Sequence, residues 1–325
     1  NRRKQQPTTM LDILTLFSKD LQKEVYIHFK GDKLRESIKQ KTELRKLAKS
    51  IAKGENISIN TIRSYLQRNM LPFYLFNKTK DFFINRGLDS TLDYYSIGKT
   101  GGGKKICLPF YLDKKFMYFL GLISADGHNT GREIVIPNIK KLRRIFYEIT
   151  KQFNLEVREN KNQCAIASKL VCEILHSLWI TKHKKARTLD IHNIILTQKE
   201  ELIKSYLAGF FDGDGSIYKN NKTVTFAFCS YSNKFLSKLK TLLLTFSIRS
   251  SIQKTALKIY SEDNVKTKDL LINDLVIKKK NVQKYLTKLN TNKNNFDIVF
   301  IPKCKFEEIL NKKNLNLKQL YEKGA

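Results

Sequence analysis

Acidic residues are scarce in this chain: 30 Asp and Glu stand against 61 Lys and Arg over 325 residues, a formal net charge of +31. So large an excess makes a polyanion the expected partner, with nucleic acid first among polyanions. Long apolar runs are also missing. No stretch approaches the ~20 residues of a spanning helix, and the opening N-R-R-K-Q-Q-P-T-T-M lacks the apolar core of a secretory signal. No membrane partner is expected, and the expected location is intracellular, in the cytoplasm or an organelle such as a mitochondrion. Cysteine is sparse and unpatterned: Cys107, Cys164, Cys172, Cys229 and Cys304 include no C-x-x-C pair and read as reduced, structural thiols. Glycine clusters once, in S-I-G-K-T-G-G-G-K-K from Ser96 to Lys105, which lacks G-x-x-x-x-G-K-[ST] and follows no apolar strand. Nucleotide binding is therefore not expected, and 96–107 reads as a linker. Asn1 is not an initiator, so Met10 is a candidate start and trimming the alternative. With no Cys or Ser opening the chain and no His-Asn closing it, self-splicing is not expected.

What the chain does have is a repeat. Tyr118 to His128 reads Y-F-L-G-L-I-S-A-D-G-H, and 88 positions later Tyr206 to Ser216 reads Y-L-A-G-F-F-D-G-D-G-S. Each copy is an apolar helix with small residues three or four apart, Gly121, Ser124 and Ala125 or Ala208, Gly209 and Gly213, hence on one face. Small faces let two helix backbones approach closely. Each helix ends on Asp-Gly, with Gly127 and Gly215 where left-handed C-terminal caps would sit. Packed side by side and parallel, the helices would bring Asp126 and Asp214 together beside two negative dipole ends. Such a spot needs cations, and oxygen donors without nearby histidine or thiol suit Mg²⁺ rather than zinc.

These residues resemble the LAGLIDADG homing endonucleases, specifically the single-chain class with two motifs, over about Leu108 to Leu289. The resemblance implies an α+β fold of two pseudo-symmetric αββαββα repeats, whose sheets form a saddle-shaped DNA-binding surface. It also implies Asp126 and Asp214 as catalytic metal ligands, one over each scissile phosphate, with the backbone carbonyls of Ala125 and Gly213 completing the shell. Mg²⁺ is the expected cofactor, with Mn²⁺ or Ca²⁺ able to substitute in binding. Family members add a lysine near each centre. Lys184-Lys185 and Lys278-Lys279-Lys280 occupy the analogous places, and Lys185 and Lys279 are the candidates, with a phosphate clamp or plain surface charge as the alternative for each. Ser124 departs from a family position that is often acidic, whereas Asp212 keeps it.

Ahead of the repeats, residues 1–95 read as a helical domain. Apolar spacing predicts a helix from Met10 to about Phe29, another from Thr42 to Lys53, a turn at Gly54, Glu55 and Asn56, and a helix from near Ser58 with Ile59, Ile62, Tyr65 and Leu66 inward. Helix, short turn, helix is a helix-turn-helix pattern, with Asn60, Thr61, Arg63, Ser64, Gln67 and Arg68 outward. A basic two-helix hairpin without a groove to read would look the same. Repeat 1 is placed at 108–200 and repeat 2 at 201–295, with 296–325 a tail containing one more helix. Within repeat 1 the pattern is strand at Glu133 to Ile136, helix at Ile139 to Phe153, strands at Glu156 to Arg158 and Cys164 to Ala167, and helix at Val171 to Trp179. Repeat 2 follows with strand at Thr223 to Cys229, helix at Phe235 to Phe246, strands at Ser250 to Lys254 and Leu257 to Tyr260, and helix at Val282 to Leu289.

One face of each strand packs on helices and the other offers polar groups to the major groove. The candidates there are Asn129, Arg132, Arg158, Asn160, Lys161, Tyr218, Lys219, Lys222, Thr223, Thr225, Arg249 and Lys254. The expected activity is Mg-dependent hydrolysis that makes a double-strand break in a long asymmetric DNA target, by a monomer. The alternative is a non-cleaving nucleic-acid-binding protein of the same fold, either an intron RNA maturase or a transcription regulator.

Overall fold

Two four-stranded antiparallel sheets with the same strand order flank a central pair of helices in the computed structural model, which describes residues 8–29, 41–53, 55–85, 92–97, 106–107, 111–137, 143, 146–147, 150–151, 153–181, 185–220 and 223–271. The central helices are α7 (Lys114–Ala125) and α11 (Glu200–Asp214). The first sheet runs β4 (His128–Asn129), β5 (Glu133–Pro137), β7 (Gln163–Ala167), β6 (Val157–Glu159). The second runs β8 (Gly215–Asn220), β9 (Thr223–Cys229), β11 (Ala256–Ile259), β10 (Ser250–Gln253). The two orders match position by position, so the α+β duplication is present in the strand topology.

Alternation explains the sheets. On β5, Ile134 and Ile136 are buried while Glu133, Val135 and Pro137 point the other way. The register Val135 to Ala165 to Arg158 carries that outward face across three strands. In the second sheet Phe226, Phe228, Leu257 and Ile259 turn inward. Ser216 opposite Ala227, and Ala227 opposite Lys258, lie on the outer phase. The helices behind are α8 (Lys169–Ser177) and α12 (Asn233–Thr245), capped by Ser168 and Ser232. Every described position between 143 and 151 is helical, in keeping with the expected helix there. One helix of the second repeat, α13 (Asn264–Leu271), was not foreseen. The expected helix at Val282 to Leu289 and the tail lie outside the described residues.

The N-terminal region departs from the helical expectation. Met10 to Phe29 divides into α1 (Met10–Leu14), α2 (Lys19–Glu24) and a strand, β1 (Val25–Phe29). Ser18 caps α2 through the Leu21 amide and so restarts the helix. The five residues of β1 are all buried, and the β-branched and aromatic side chains of V-Y-I-H-F favour a pleated surface once partners are available. Those partners are β2 (Met70–Pro72) and β3 (Leu92–Ile97), giving the sheet order β2-β1-β3. Ser96 and Ile97, expected in the linker, thus belong to a strand.

The helix-turn-helix pair is present as α3 (Lys41–Ala52) and α4 (Ile59–Gln67), the latter capped by Ser58 through the Thr61 amide at 3.1 Å. Ile62 and Leu66 are buried and Tyr65 half-buried against Tyr26, but Ile59 is exposed rather than inward. Phe73 and Phe76 of α5 (Phe73–Lys78) and Phe83 of α6 (Lys80–Ile84) are buried, and Phe76 and Phe83 pack with Phe29. The region is anchored to repeat 1, where Lys169 pairs with Glu24 at 3.0 Å and Thr9 bridges to Tyr111. Cys107, Cys164, Cys172 and Cys229 form no disulfide among the described residues.

Candidate active site

The motif helices α7 and α11 touch backbone to backbone. A Cβ on Gly121 would lie 2.0 Å from the Tyr206 carbonyl oxygen, and one on Gly209 would lie 2.1 Å from the Tyr118 carbonyl oxygen. Only glycine fits at either crossing point, and the reciprocity of the two contacts is the pseudo-twofold axis seen at atomic scale. Further along, a Cβ on Gly213 would meet the Ala125 Cβ at 2.2 Å and the Asp126 amide at 3.1 Å. The helices therefore run parallel and end together, and Asp126 and Asp214, both half-buried, close adjacent feet.

Gly127 and Gly215 are not left-handed caps. Gly215 has φ −75° and ψ 152°, and among the described glycines only Gly131 has positive φ. Their smallness serves a different need: the chain turns from helix to strand at once, and a Cβ would lie 2.5 Å from the Ile123 side chain at Gly127 or 2.3 Å from the Phe211 ring at Gly215.

A second reciprocal pair lies behind the first. The Tyr118 hydroxyl donates to the Asp212 carboxylate, and the Tyr206 hydroxyl donates to Ser124 Oγ at 3.3 Å. All four side chains are buried. Asp212 and Ser124 are equivalent positions, so the acid kept in repeat 2 and lost in repeat 1 faces into the helix packing, away from the feet.

Lys185 enters from α9 (Lys185–Thr188), in the segment joining the repeats. Its ammonium donates to the carbonyls of Ile123 at 3.0 Å, Ala125 at 2.5 Å and Gly127 at 2.5 Å. Burial lowers its pKa to about 8, against the charges of Asp214 and Asp126, which both raise it. The Ala125 carbonyl, expected on a metal, is thus already an acceptor for Lys185. Lys279 lies outside the described residues. Among the described residues no group of three or more His, Cys, Asp and Glu could hold a metal. The oxygen donors at the helix feet are two carboxylates and backbone carbonyls. That hard oxygen set fits an ion such as Mg²⁺, which keeps several waters and takes one or two carboxylates.

Residues 201–290 match the family model for the LAGLIDADG-like domain. The chain carries a LAGLIDADG-like domain. Among curated proteins it is similar to reverse gyrase of Thermococcus kodakarensis, 28% identical over 165 residues, covering 50% of this chain and 9% of that protein. It is also similar to elongation factor 2 of Methanopyrus kandleri, 27% over 163 residues, covering 47% and 12%. A third relative is DNA polymerase of Thermococcus litoralis, 25% over 186 residues, covering 54% and 10%. The chain spans about a tenth of the length of these relatives. Among solved structures, the homing endonuclease I-DmoI in complex with DNA and Ca aligns over 53% of this chain and 97% of that one at 11% identity, TM-score 0.40. Full-length DUF199/WhiA from Thermatoga maritima aligns over 64% and 69% at 15% identity, TM-score 0.37.

The residues expected on the DNA side of this LAGLIDADG chain divide into several groups. Arg132, Arg158, Asn160, Lys161 and Lys254 are exposed, and Thr225 is half-buried. Asn129 is fully buried instead. Its Nδ2 donates to the Cys172 and Ile180 carbonyls at 3.0 and 3.3 Å, and its Oδ1 accepts from the Gly131 amide, so it ties the first strand to α8. Arg249 is exposed but committed, its Nε bonding Asp263 at 2.9 Å with Glu262 at 3.7 Å. Tyr218 and Lys219 lie on β8 and Thr223 on β9, with side chains outside the described residues, as is the whole of Lys222. On α4, Asn60, Thr61, Gln67 and Arg68 are exposed, whereas Arg63 and Ser64 are half-buried and the Arg63 Nε is buried without a hydrogen-bond partner. Ser216 and Lys258, not among the residues expected there, lie on the outer phase by strand register.

Proposed function

We propose that the chain is a site-specific endonuclease that binds double-stranded DNA across the outer faces of its two sheets, as a saddle, and hydrolyses one phosphodiester in each strand. The observation that carries this reading is the glycine-packed crossing that ends α7 and α11 together and sets Asp126 beside Asp214. Charge supports the choice of partner, since net +31 needs a polyanion, and the exposed Arg132, Arg158, Lys161 and Lys254 lie on or beside the sheets. The names of the relatives support a mobile origin: reverse gyrase, an elongation factor and a DNA polymerase share no activity, yet each matches over about a tenth of its length. A segment common to such proteins behaves as a portable insert, as the reading of a homing enzyme requires.

Asp126 and Asp214 would hold the divalent cations, with Gly213 contributing its carbonyl. Such ions, when bound, stabilise charge on the attacking and leaving oxygens of an in-line displacement. The carboxylates orient what they hold because both sit on helix ends fixed by backbone contact, and the helix termini add field of the same sign. The helix-turn-helix pair extends the DNA contact through Asn60, Thr61, Gln67 and Arg68. Asp126→Asn and Asp214→Asn, each assayed on plasmid carrying the sequence that flanks the gene, should abolish double-strand cleavage in Mg²⁺ and leave duplex binding intact. Full cutting by either variant discards the assignment. A wild-type chain that binds the duplex and never cuts it would instead be a non-cleaving nucleic-acid binder.

A further inference from the structure

Tryptophan occurs once in this chain, as Trp179, directly after Leu178 at the end of α8. The Trp179 amide donates to the His176 carbonyl at 3.0 Å and the Ile180 amide to the Leu175 carbonyl at 2.9 Å, the paired bonds of a left-handed helix stop. Glycine or asparagine is usual at such a stop, yet Trp179 holds φ 68°. A bulky aromatic residue there keeps a strained backbone, which points to a use for its ring. The ring lies 4.6 Å from Lys238 Nζ and 5.4 Å from Lys234 Nζ, both within the attractive reach of an indole face, and meets the His192 ring edge-on at 4.6 Å. The two lysines, four apart on one face of α12, are aimed by the buried Asp190 carboxylate, at 2.8 Å from Lys234 and 3.0 Å from Lys238. Lys238 also donates to the Ile191 carbonyl at 2.9 Å, and Ser232 Oγ to the Leu189 carbonyl at 2.6 Å. Three segments thus converge: the end of α8 in repeat 1, Leu189 to His192 in the segment joining the repeats, and the first turns of α12 in repeat 2.

None of these residues is on α7 or α11, so the junction lies beside the seam rather than on it. Two bodies joined along one line of close helix packing resist separation but can rock about that line, and rocking changes the angle between their sheets. A contact away from the line stops it. We propose that Trp179 is a positioning residue, whose ring, gripped by Lys234 and Lys238, clasps repeat 1 to α12 of repeat 2 and fixes the angle between the two sheets. Asp190 is the anchor that holds both ammoniums over the ring. The clasp stands apart from the nuclease reading, whereas its consequence for DNA rests on that reading: a saddle of fixed angle meets the duplex already in its binding shape.

The test places nitroxides on azide-bearing side chains at positions Lys161 and Lys254 of the full chain, in the exposed connections β6–β7 and β10–β11, and reads the distance between them by pulsed electron paramagnetic resonance without DNA. The unsubstituted clasp should give one narrow distance. Trp179→Gly suits the left-handed backbone and removes only the ring, so the fold is kept and the distance should broaden. Trp179→Phe keeps an aromatic face for the ammoniums and should restore the narrow distance, which a ring serving only as packing bulk would not predict. A Trp179→Gly chain as narrow as the unsubstituted one, or a Trp179→Phe chain as broad as the glycine variant, overturns the proposal. Should Trp179→Gly fail to fold, Lys238→Met decides: it keeps the stem and loses the charge, and broadening supports the clasp while a narrow distance ends it. On duplex DNA, a glycine variant that holds the binding angle in about a tenth of its molecules should show an apparent Kd about tenfold higher. A wild type that binds no duplex would end the saddle reading and leave the distance result standing.

Discussion

Gly209→Ala isolates the feature on which the site's geometry depends. In an ordinary helix interior this substitution stabilises by about 1 kcal/mol, because alanine loses less backbone entropy on folding. Here the added methyl would sit 2.1 Å from the Tyr118 carbonyl oxygen and 3.0 Å from the Leu122 amide, so its neighbours are backbone and no rotamer change relieves it. The helices must part by roughly 1 Å, which forfeits a quarter to a half of the dispersion well for each contact along the seam. Overpacking of this kind costs about 3 kcal/mol, the upper end of its usual range. Net of the helix gain, the expected loss is about 2 kcal/mol, a melting point lower by roughly 4–8 °C. Gly121→Ala, 2.0 Å from the Tyr206 carbonyl oxygen, should cost the same. Since one retreat makes room for both methyls, the double variant should cost clearly less than the sum. Urea and thermal unfolding of the three variants measure this. A neutral or stabilising Gly209→Ala, or strict additivity, refutes the backbone contact.

The two tyrosines behind the seam should differ: Tyr118→Phe removes a hydrogen bond to the Asp212 carboxylate and should cost about 1.5–3 kcal/mol, whereas Tyr206→Phe removes one to a neutral hydroxyl and should cost about 1 kcal/mol, by urea unfolding. Asn129→Ala should destabilise by about 1–3 kcal/mol while leaving DNA affinity unchanged, because it removes buried hydrogen bonds to the Cys172 and Ile180 carbonyls and from the Gly131 amide. Arg158→Ala should do the reverse, lowering affinity and reducing the salt slope by about 1, with equal thermal stability. The Asp263 carboxyl is held down to about 2 by hydrogen bonds from the Arg249 amide and guanidinium and from Lys266, against a burial that would raise it. A depressed folded pKa means its contribution is complete above the unfolded carboxylate range and is lost as pH falls toward 2. Asp263→Asn should therefore flatten the acid limb of the stability curve between about pH 4 and pH 2.

The repeat is legible in the sequence because two constraints coincide in each copy, a small face for close packing and a carboxylate at the helix end. Neither occurs by accident at the same spacing twice. Strands with one buried face are legible by alternation, as at Ile134 and Ile136. Val25 to Phe29 is not, because a strand buried on both sides has no alternation and its apolar residues continue the helical spacing that precedes it. The strand after Asp214 is hidden for a different reason: it begins at the next residue, with no turn signal between. Asn129 looks like a base-reading side chain until its two carbonyl partners are in place. Lys185 is one of 61 basic residues, and only the tertiary structure shows where its protons go.

Asp214 is the last residue of α11 and Gly215 the first of β8, so the acid and the floor of the sheet are joined with no intervening loop. No residue lies between them to serve as a hinge. On the nuclease reading proposed above, a strand tilted by a poorly fitting base pair would draw the carboxylate out of alignment with its partner, and a mismatch felt on the sheet would be answered as slower chemistry. On that reading fidelity would need no separate checkpoint: it would follow from the direct join of helix and strand.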